Sequence, residues 1–422
     1  MKMPRGLLSF LAFDSVWRAA PFLHFGLQSL QNRGYASFGA TTLKDQQFTT
    51  TYRNGPLSLR PRTLTYRLQG NQAVATITSQ PRSAQPLVVS EPTSLSIAFD
   101  GINPRSFAQT LSRELAGGNP MDAVAATMER AQAPFAFIAM TTKGEALAGR
   151  DQTGRLPLSI GNMGFDSGTV ISTESPAIDV IGGENGTPIN PGEAYLITPN
   201  SIERKQVKGD EAKFCAMEYA YLARPDSILD LGEVCRIRCV LGEELAKESA
   251  VDGANVVVSV PRSSSSQAQG YSQCTNAPYA DGFVENVCMV RNLLEKDHVA
   301  RISATQLKLS PIGSSVRNRK VAIIDNLVVR GTTLKCAAKR LRGHGARSVH
   351  ALISSPPVTA PCPYSDLLPG RKELISAHLK EEEIEKVLGL DTIKWLSIGG
   401  MVKALKVPQE RLCMECFRGE MK

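Results

Sequence analysis

The first 214 residues of this 422-residue chain contain no cysteine; all nine lie at or after Cys215. An odd number of cysteines, gathered in one half of a long chain, does not suit the disulfide framework of a secreted protein. Long apolar runs are missing too: none approaches the ~20 residues that a membrane-spanning helix requires. The opening MKMPRGLLSFLAF has the basic start and short apolar run of a signal peptide. Ser9 interrupts that run, Asp14 ends it, and no small-residue cleavage site follows closely, so it reads as a buried first strand. Lysine and arginine exceed aspartate and glutamate by eight but are scattered, with no basic run of the sort that marks a nucleic-acid surface. The five histidines form no cluster. These absences leave a cytoplasmic protein that binds anionic metabolites, with neither nucleic acid nor membrane as partner.

What is present suits two domains. Hydrophobic residues make up 42% of the chain, ample for ordinary cores. In residues 1–210, the segment PFLHFGLQSLQNRG puts Phe22, Leu23, Leu27 and Leu30 on one helical face and stops at Gly34. Asn119-Pro120 reads as an N-cap followed by proline at the first helical position. FAFIAM, from Phe135 to Met140, reads as a buried strand, and INPGEAYLITP as a turn feeding a closing strand. The polar stretch SIERKQVKGDEAK marks the boundary, and residues 211–422 turn to βα units. NVVVSV, VAIID and SVHALISS are strands, and helical patterns follow the first two, which predicts a parallel, doubly wound sheet.

The carboxyl ends of such strands are where ligands bind. VAIIDNLVVRGTT, Val321 to Thr333, runs a strand into a turn. Gly331 permits close backbone approach, the N–H groups of Arg330 to Thr333 can form an anion nest, and Thr332 and Thr333 add hydroxyls at a helix start. The same residues also suit an ordinary strand–helix turn with a threonine cap. Cys413 and Cys416 form a C-x-x-C, compatible with a zinc site, a redox pair or two unrelated thiols.

Eight segments, in order, resemble the glutamine phosphoribosylpyrophosphate amidotransferase (amidophosphoribosyltransferase) family. They are GLQSLQNRG, SAQPL, GRDQTGRLPLSIG, STESPAIDVIG, MEYAYLARPDS, IIDNLVVRGTT, ISSPP and CMECFRGE. The resemblance covers nearly the whole chain. It implies an N-terminal glutaminase of the N-terminal-nucleophile type, a four-layer αββα sandwich, over residues 1–210. A phosphoribosyltransferase domain with a cysteine-bearing tail would occupy 211–422. In such proteins ammonia released from glutamine is added to C1 of phosphoribosyl pyrophosphate, with Mg²⁺, in purine biosynthesis.

The resemblance also shows what is altered. Counting back from Gly26 puts Leu8 where the family has its nucleophilic cysteine, and a hydrocarbon side chain has no nucleophilic atom. The glutamine-binding arginine aligns near Ala75, and no arginine lies closer than Arg82. The oxyanion-hole asparagine aligns with Asp100, and an ionised carboxylate accepts hydrogen bonds where a donor is required. In the transferase half the paired acids become Asp325 and Asn326, and Arg262 replaces an acid in VPRS. The loop that closes over substrate corresponds to Arg291 to Lys308 and looks shortened.

Asp325, Asn326, Arg330, Gly331, Thr332 and Thr333 are therefore the expected ribose- and phosphate-binding residues, and Asp325 the residue for Mg²⁺. Some relatives carry a [4Fe–4S] cluster, and its four cysteines match Cys215, Cys362, Cys413 and Cys416; zinc or unligated thiols are the alternatives. The ligand is phosphoribosyl pyrophosphate or a nucleotide. The expected protein lacks glutaminase activity and is a non-catalytic or regulatory paralogue, a homo-oligomer or a hetero-oligomer with an active paralogue. The alternative is an ammonia-dependent phosphoribosyltransferase that makes phosphoribosylamine.

Overall fold

The computed structural model describes residues 5–419, apart from 15, 58–63, 65–66, 84, 165–167, 210 and 286–308. Two compact units divide the chain. The first is Met1–Cys215 with Asp226–Glu233 and Glu410–Cys413; the second is Ala216–Pro225, Val234–Gln409 and Met414–Lys422.

The strands of the first unit are β1 (Arg5–Ala12), β2 (Ser37–Lys44), β3 (Gln47–Asn54), β4 (Gln72–Thr78), β5 (Leu87–Val89), β6 (Leu95–Gly101), β7 (Phe135–Thr141), β8 (Ala146–Arg150), β9 (Ser159–Met163), β10 (Gly168–Ser172), β11 (Gly183–Pro188), β12 (Glu193–Ile197) and β13 (Ile202–Gln206). They form one sheet in the order β11-β9-β10-β1-β4-β2-β3 and a second in the order β13-β12-β8-β7-β6-β5. Helix α1 (Ala19–Ser29) covers the first sheet, and helices α2 (Pro104–Ala116) and α3 (Pro120–Arg130) cover the second.

All eight residues of β1 are buried, because both of its faces are covered. Side chains alternate across a strand. Leu8, Phe10 and Ala12 join a core with Leu23, Leu27 and Leu30 on the helix side. Leu7 and Leu11 join Ala136, Ile138 and Met140 between the sheets. A third core of Leu95, Ile97, Phe107, Leu111 and Val124 lies under the other helices. Three apolar seams between four layers give the αββα sandwich. Asn119 caps α3, its side chain accepting from the backbone N–H of Met121 at 2.8 Å.

Two expectations shift. Helix α1 starts at Ala19, which places Pro21 in the first turn, where a missing N–H costs nothing, and it ends at Ser29 rather than near Gly34. The polar segment after residue 200 is not all linker. Ile202 to Gln206 pairs with β12 as an edge strand with every residue exposed, so it needs no apolar face, and its charges guard the edge.

In the second unit β14 (Val256–Ser259), β15 (Lys320–Asp325), β16 (Ser348–Ile353) and β17 (Thr392–Trp395) pair in parallel and in chain order. Leu334, Ala337 and Leu341 of α6 (Thr332–Gly343), with Ile384 and Leu388 of α7 (Glu381–Leu388), pack on Val258, Ile323, Ala351 and Ile393. The alternate residues Val257, Ala322, Ile324 and Leu352 are equally buried. Their face is covered by α4 (Val234–Ser249) and α5 (Ser265–Thr275), giving the parallel sheet with helices on both sides. Among the described residues no helix is long and apolar enough to cross a membrane.

Candidate functional sites

In the first unit the position expected to carry the nucleophile is filled with hydrocarbon. Leu8 is wholly buried, and its cross-strand partners are Ala75 of β4 and Ser172 of β10. The two positions expected to hold nucleophile and glutamine-binding arginine are thus neighbours, and both side chains are apolar. Helix α1 lies so close that a Cβ on Gly26 would come within 2.5 Å of a Leu8 methyl. Arg82, the nearest arginine in sequence, is in an exposed turn. Ser9, the one residue of β1 with a hydroxyl, points to the opposite face of the strand. It is wholly buried, and its Oγ accepts from the backbone N–H of Ile171 at 3.2 Å.

Asp100 sits near the end of β6, 8% exposed. One carboxylate oxygen accepts from the Arg5 backbone N–H at 3.1 Å, and the other lies 3.9 Å from the Arg5 guanidinium. Burial pushes its carboxyl above the usual range, while Arg5, Arg33 and the hydrogen bonds of Arg5 and Gly101 oppose the rise. Asp100 anchors the start of β1 rather than presenting a donor to a substrate.

The polar residues that converge in this unit are ones to which the sequence reading gave no role. Glu174 forms a buried ion pair with Arg33 and accepts from Asn32 at 2.5 Å and from Ser227 at 2.6 Å. Arg150, wholly buried, pairs with Asp230 and donates to the Leu156 carbonyl at 3.3 Å. Four of the eight segments carry these groups, so part of the pattern serves to satisfy buried charge. No local signal marks them: Arg33, Arg150 and Glu174 have polar or glycine neighbours, and their partners lie far along the chain.

In the second unit β15 ends at Asp325, which is 6% exposed. Its carboxylate accepts from the Asn326 backbone N–H at 2.8 Å, and its carbonyl accepts from the Ser354 N–H at 2.9 Å. The Asn326 amide donates to the Ser263 carbonyl at 3.1 Å, and Ser264 Oγ donates to the Ile324 carbonyl at 2.8 Å. The loop after β14 is thereby tied to the end of β15. A carboxylate in place of Asn326 could not make that bond, because it has no proton to give. Arg262 in this loop has φ of 61°.

Gly331 caps α6 with φ of 74°, and a Cβ there would come within 2.7 Å of a Leu388 methyl. Thr332 and Thr333 open the helix, half-buried, where the first N–H groups lack partners within the helix. Asp325, Gly331, Thr332 and Thr333 therefore lie at the carboxyl end of one strand and the amino end of the next helix, a geometry suited to an anion. Arg330 turns aside: its Nε donates to Glu373 at 2.6 Å. The segment Arg291 to Lys308 lies outside the described residues.

Cys215 and Cys413 are register partners in a two-residue parallel pairing. The carbonyl of Cys416 accepts from the N–H groups of Thr359 and Ala360, two residues before Cys362, at 2.9 and 3.2 Å. Among the described residues, however, no three His, Cys, Asp or Glu side chains are gathered as a metal-binding group.

No family model matches the chain. The amidophosphoribosyltransferase of Synechococcus elongatus is 31% identical over 436 residues, which is 95% of this chain and 88% of that protein. That of Mycobacterium tuberculosis is 34% identical over 276 residues, 64% of this chain; the chain spans about half the length, 52%, of this mycobacterial relative. Among solved structures, glutamine phosphoribosylpyrophosphate amidotransferase from B. subtilis, complexed with ADP and GMP, superposes with a TM-score of 0.84. It is 30% identical to this chain, and the match covers 98% of this chain and 96% of that one.

Proposed function

The chain belongs to the amidophosphoribosyltransferase family, and on that premise we propose that it is a purine-biosynthesis paralogue without glutaminase activity. It binds a ribose 5-phosphate ligand in its second unit and regulates an active partner subunit of the same family. The observation that carries this reading is Leu8, buried under α1 with Ala75 beside it and Ser9 turned to the other face. Hydrolysis of an amide through a covalent intermediate needs an attacking atom and a donor for the developing oxyanion. The first is missing at Leu8, and the second is replaced by the acceptor Asp100.

The second unit keeps what a 5′-phosphate requires: the Gly331 turn, two threonine hydroxyls and a helix dipole. Asp325 would orient the ribose. The donor set offers Mg²⁺ a single carboxylate, which suits that ion when ligand phosphates supply further oxygens. Phosphoribosyl pyrophosphate fits this description, and so does a nucleotide, as in the B. subtilis structure with ADP and GMP. Cys215, Cys362, Cys413 and Cys416 would hold a [4Fe–4S] cluster, whose contribution is structural. A cytoplasmic location goes with this reading.

A second reading is favoured by Asp325 itself, held by Asn326 and Ser354 at the strand end. In it, ammonia attacks C1 of phosphoribosyl pyrophosphate, the C–N bond forms as the C1–O bond breaks, pyrophosphate leaves and the new amine loses a proton to water. Pyrophosphate release from phosphoribosyl pyrophosphate, with glutamine or with ammonium at raised pH, separates the two. The regulatory reading expects none in either case. Ammonium-supported turnover that Asp325→Ala abolishes would replace it with the second.

A further inference from the structure

The sandwich has a cavity that neither function uses. It lies at the end of β1 away from Arg5, in the first unit, with a volume of about 450 Å³, within the roughly 300–1,000 Å³ usual for small-molecule sites. Trp17, Arg18, Lys44, Asp45, Gln72 and Lys143 line it, with the turns that bear them. Its walls are fixed by backbone. Ala12 and Ala19 donate to the carbonyls of Asn71 and Gly70, each at 3.0 Å. Lys44 Nζ donates to Gln69 Oε1 at 3.3 Å. Asp45 and Gln46, with φ of 48° and 60°, form a two-residue hairpin at the rim, where glycine or asparagine would ordinarily sit.

Two observations say what the cavity takes. Three cations line it against one acid, so the ligand is an anion. Gln72 is 7% exposed, and its side-chain oxygen has no hydrogen-bond partner in the protein. A buried acceptor left this way is costly, and a ligand that supplies a donor relieves it. We propose that this cavity is a second ligand site, for a phosphorylated ribose. Its phosphate meets Arg18, Lys44 and Lys143, a hydroxyl donates to Gln72 Oε1, and Trp17 forms the apolar wall. A simple carboxylate would leave Gln72 unsatisfied, and inorganic phosphate would leave most of the volume empty. The site shares no residue with the Gly331 turn and does not depend on the function proposed for it.

The chain has two tryptophans, so a Trp395→Phe protein reports on Trp17 alone by fluorescence. Ribose 5-phosphate, and GMP as a nucleotide source of the same group, are titrated into it, with ribose and inorganic phosphate as controls. A saturable change in emission is expected with at least one of the two phosphorylated probes, at concentrations where the controls give none. Reversing one rim charge with Lys143→Glu should weaken it about tenfold, and Asp325→Ala should leave it unchanged. Lys143 is exposed on the β7–β8 hairpin; if its variant melts early, Lys44→Glu gives the same comparison. No response to either probe, or a response that the charge reversals leave intact, would overturn the proposal.

Discussion

At the scale of single residues, the proposed lack of glutaminase activity rests on positions where side-chain identity decides chemistry. Leu8 for a thiol and Asp100 for an amide donor are each legible from sequence, because the missing atoms are a property of the residue. What sequence did not disclose is the work these residues now do: the partner of Asp100 is Arg5, 95 residues away. Burial raises the Asp100 carboxyl more than Arg5 and Arg33 lower it, so the folded state holds that proton more tightly than the unfolded chain. Its contribution to stability is therefore full below the unfolded pKa and is lost as pH rises through the folded one. In paired thermal melts, Asp100→Asn should lose less stability than the parent between acidic and neutral pH. The asparagine still accepts from the Arg5 N–H. An unchanged pH dependence would mean that Asp100 is not the group that titrates.

At the scale of elements, local signals carried far. VAIID, the Gly331 turn and the start of the helix behind it lie in thirteen consecutive residues, and strand, cap and dipole could all be read there. The edge strand Ile202 to Gln206 could not, because an exposed edge needs no apolar alternation and its polar residues look like a linker. Arg330 stands beside the cradle in sequence, but its Nε donates to Glu373, 43 residues on. Gly331 is the residue the element rests on, since left-handed backbone and the approach of Leu388 both exclude a side chain. Gly331→Ala should cost about 1–3 kcal/mol by chemical denaturation. It should also weaken ribose 5-phosphate binding by displacing the N–H groups of Thr332 and Thr333. A neutral result in both measurements would remove the turn from the site.

At the scale of the whole molecule, the αββα sandwich and the parallel sheet were expected from motif order and βα alternation. The strand orders were not, because register follows from pairings between segments up to about a hundred and sixty residues apart, such as β1 with β10. A still longer separation hides how Cys215 meets Cys413, which no local spacing encodes. If these cysteines serve a cluster, protein purified without air should contain about four irons and four sulfides per chain, and Cys413→Ser should lose both. Zinc instead of iron would make it a zinc site, and no metal at all would leave the pairing as packing.

The central proposal is that residues 1–210 present no nucleophile to an amide carbon. It is tested most directly by treating the purified protein with an electrophilic glutamine analogue and mapping adducts by mass spectrometry. The account predicts no modified residue from 1 to 210 and no ammonia from glutamine. An adduct on Ser9, accompanied by glutamine hydrolysis, would contradict it.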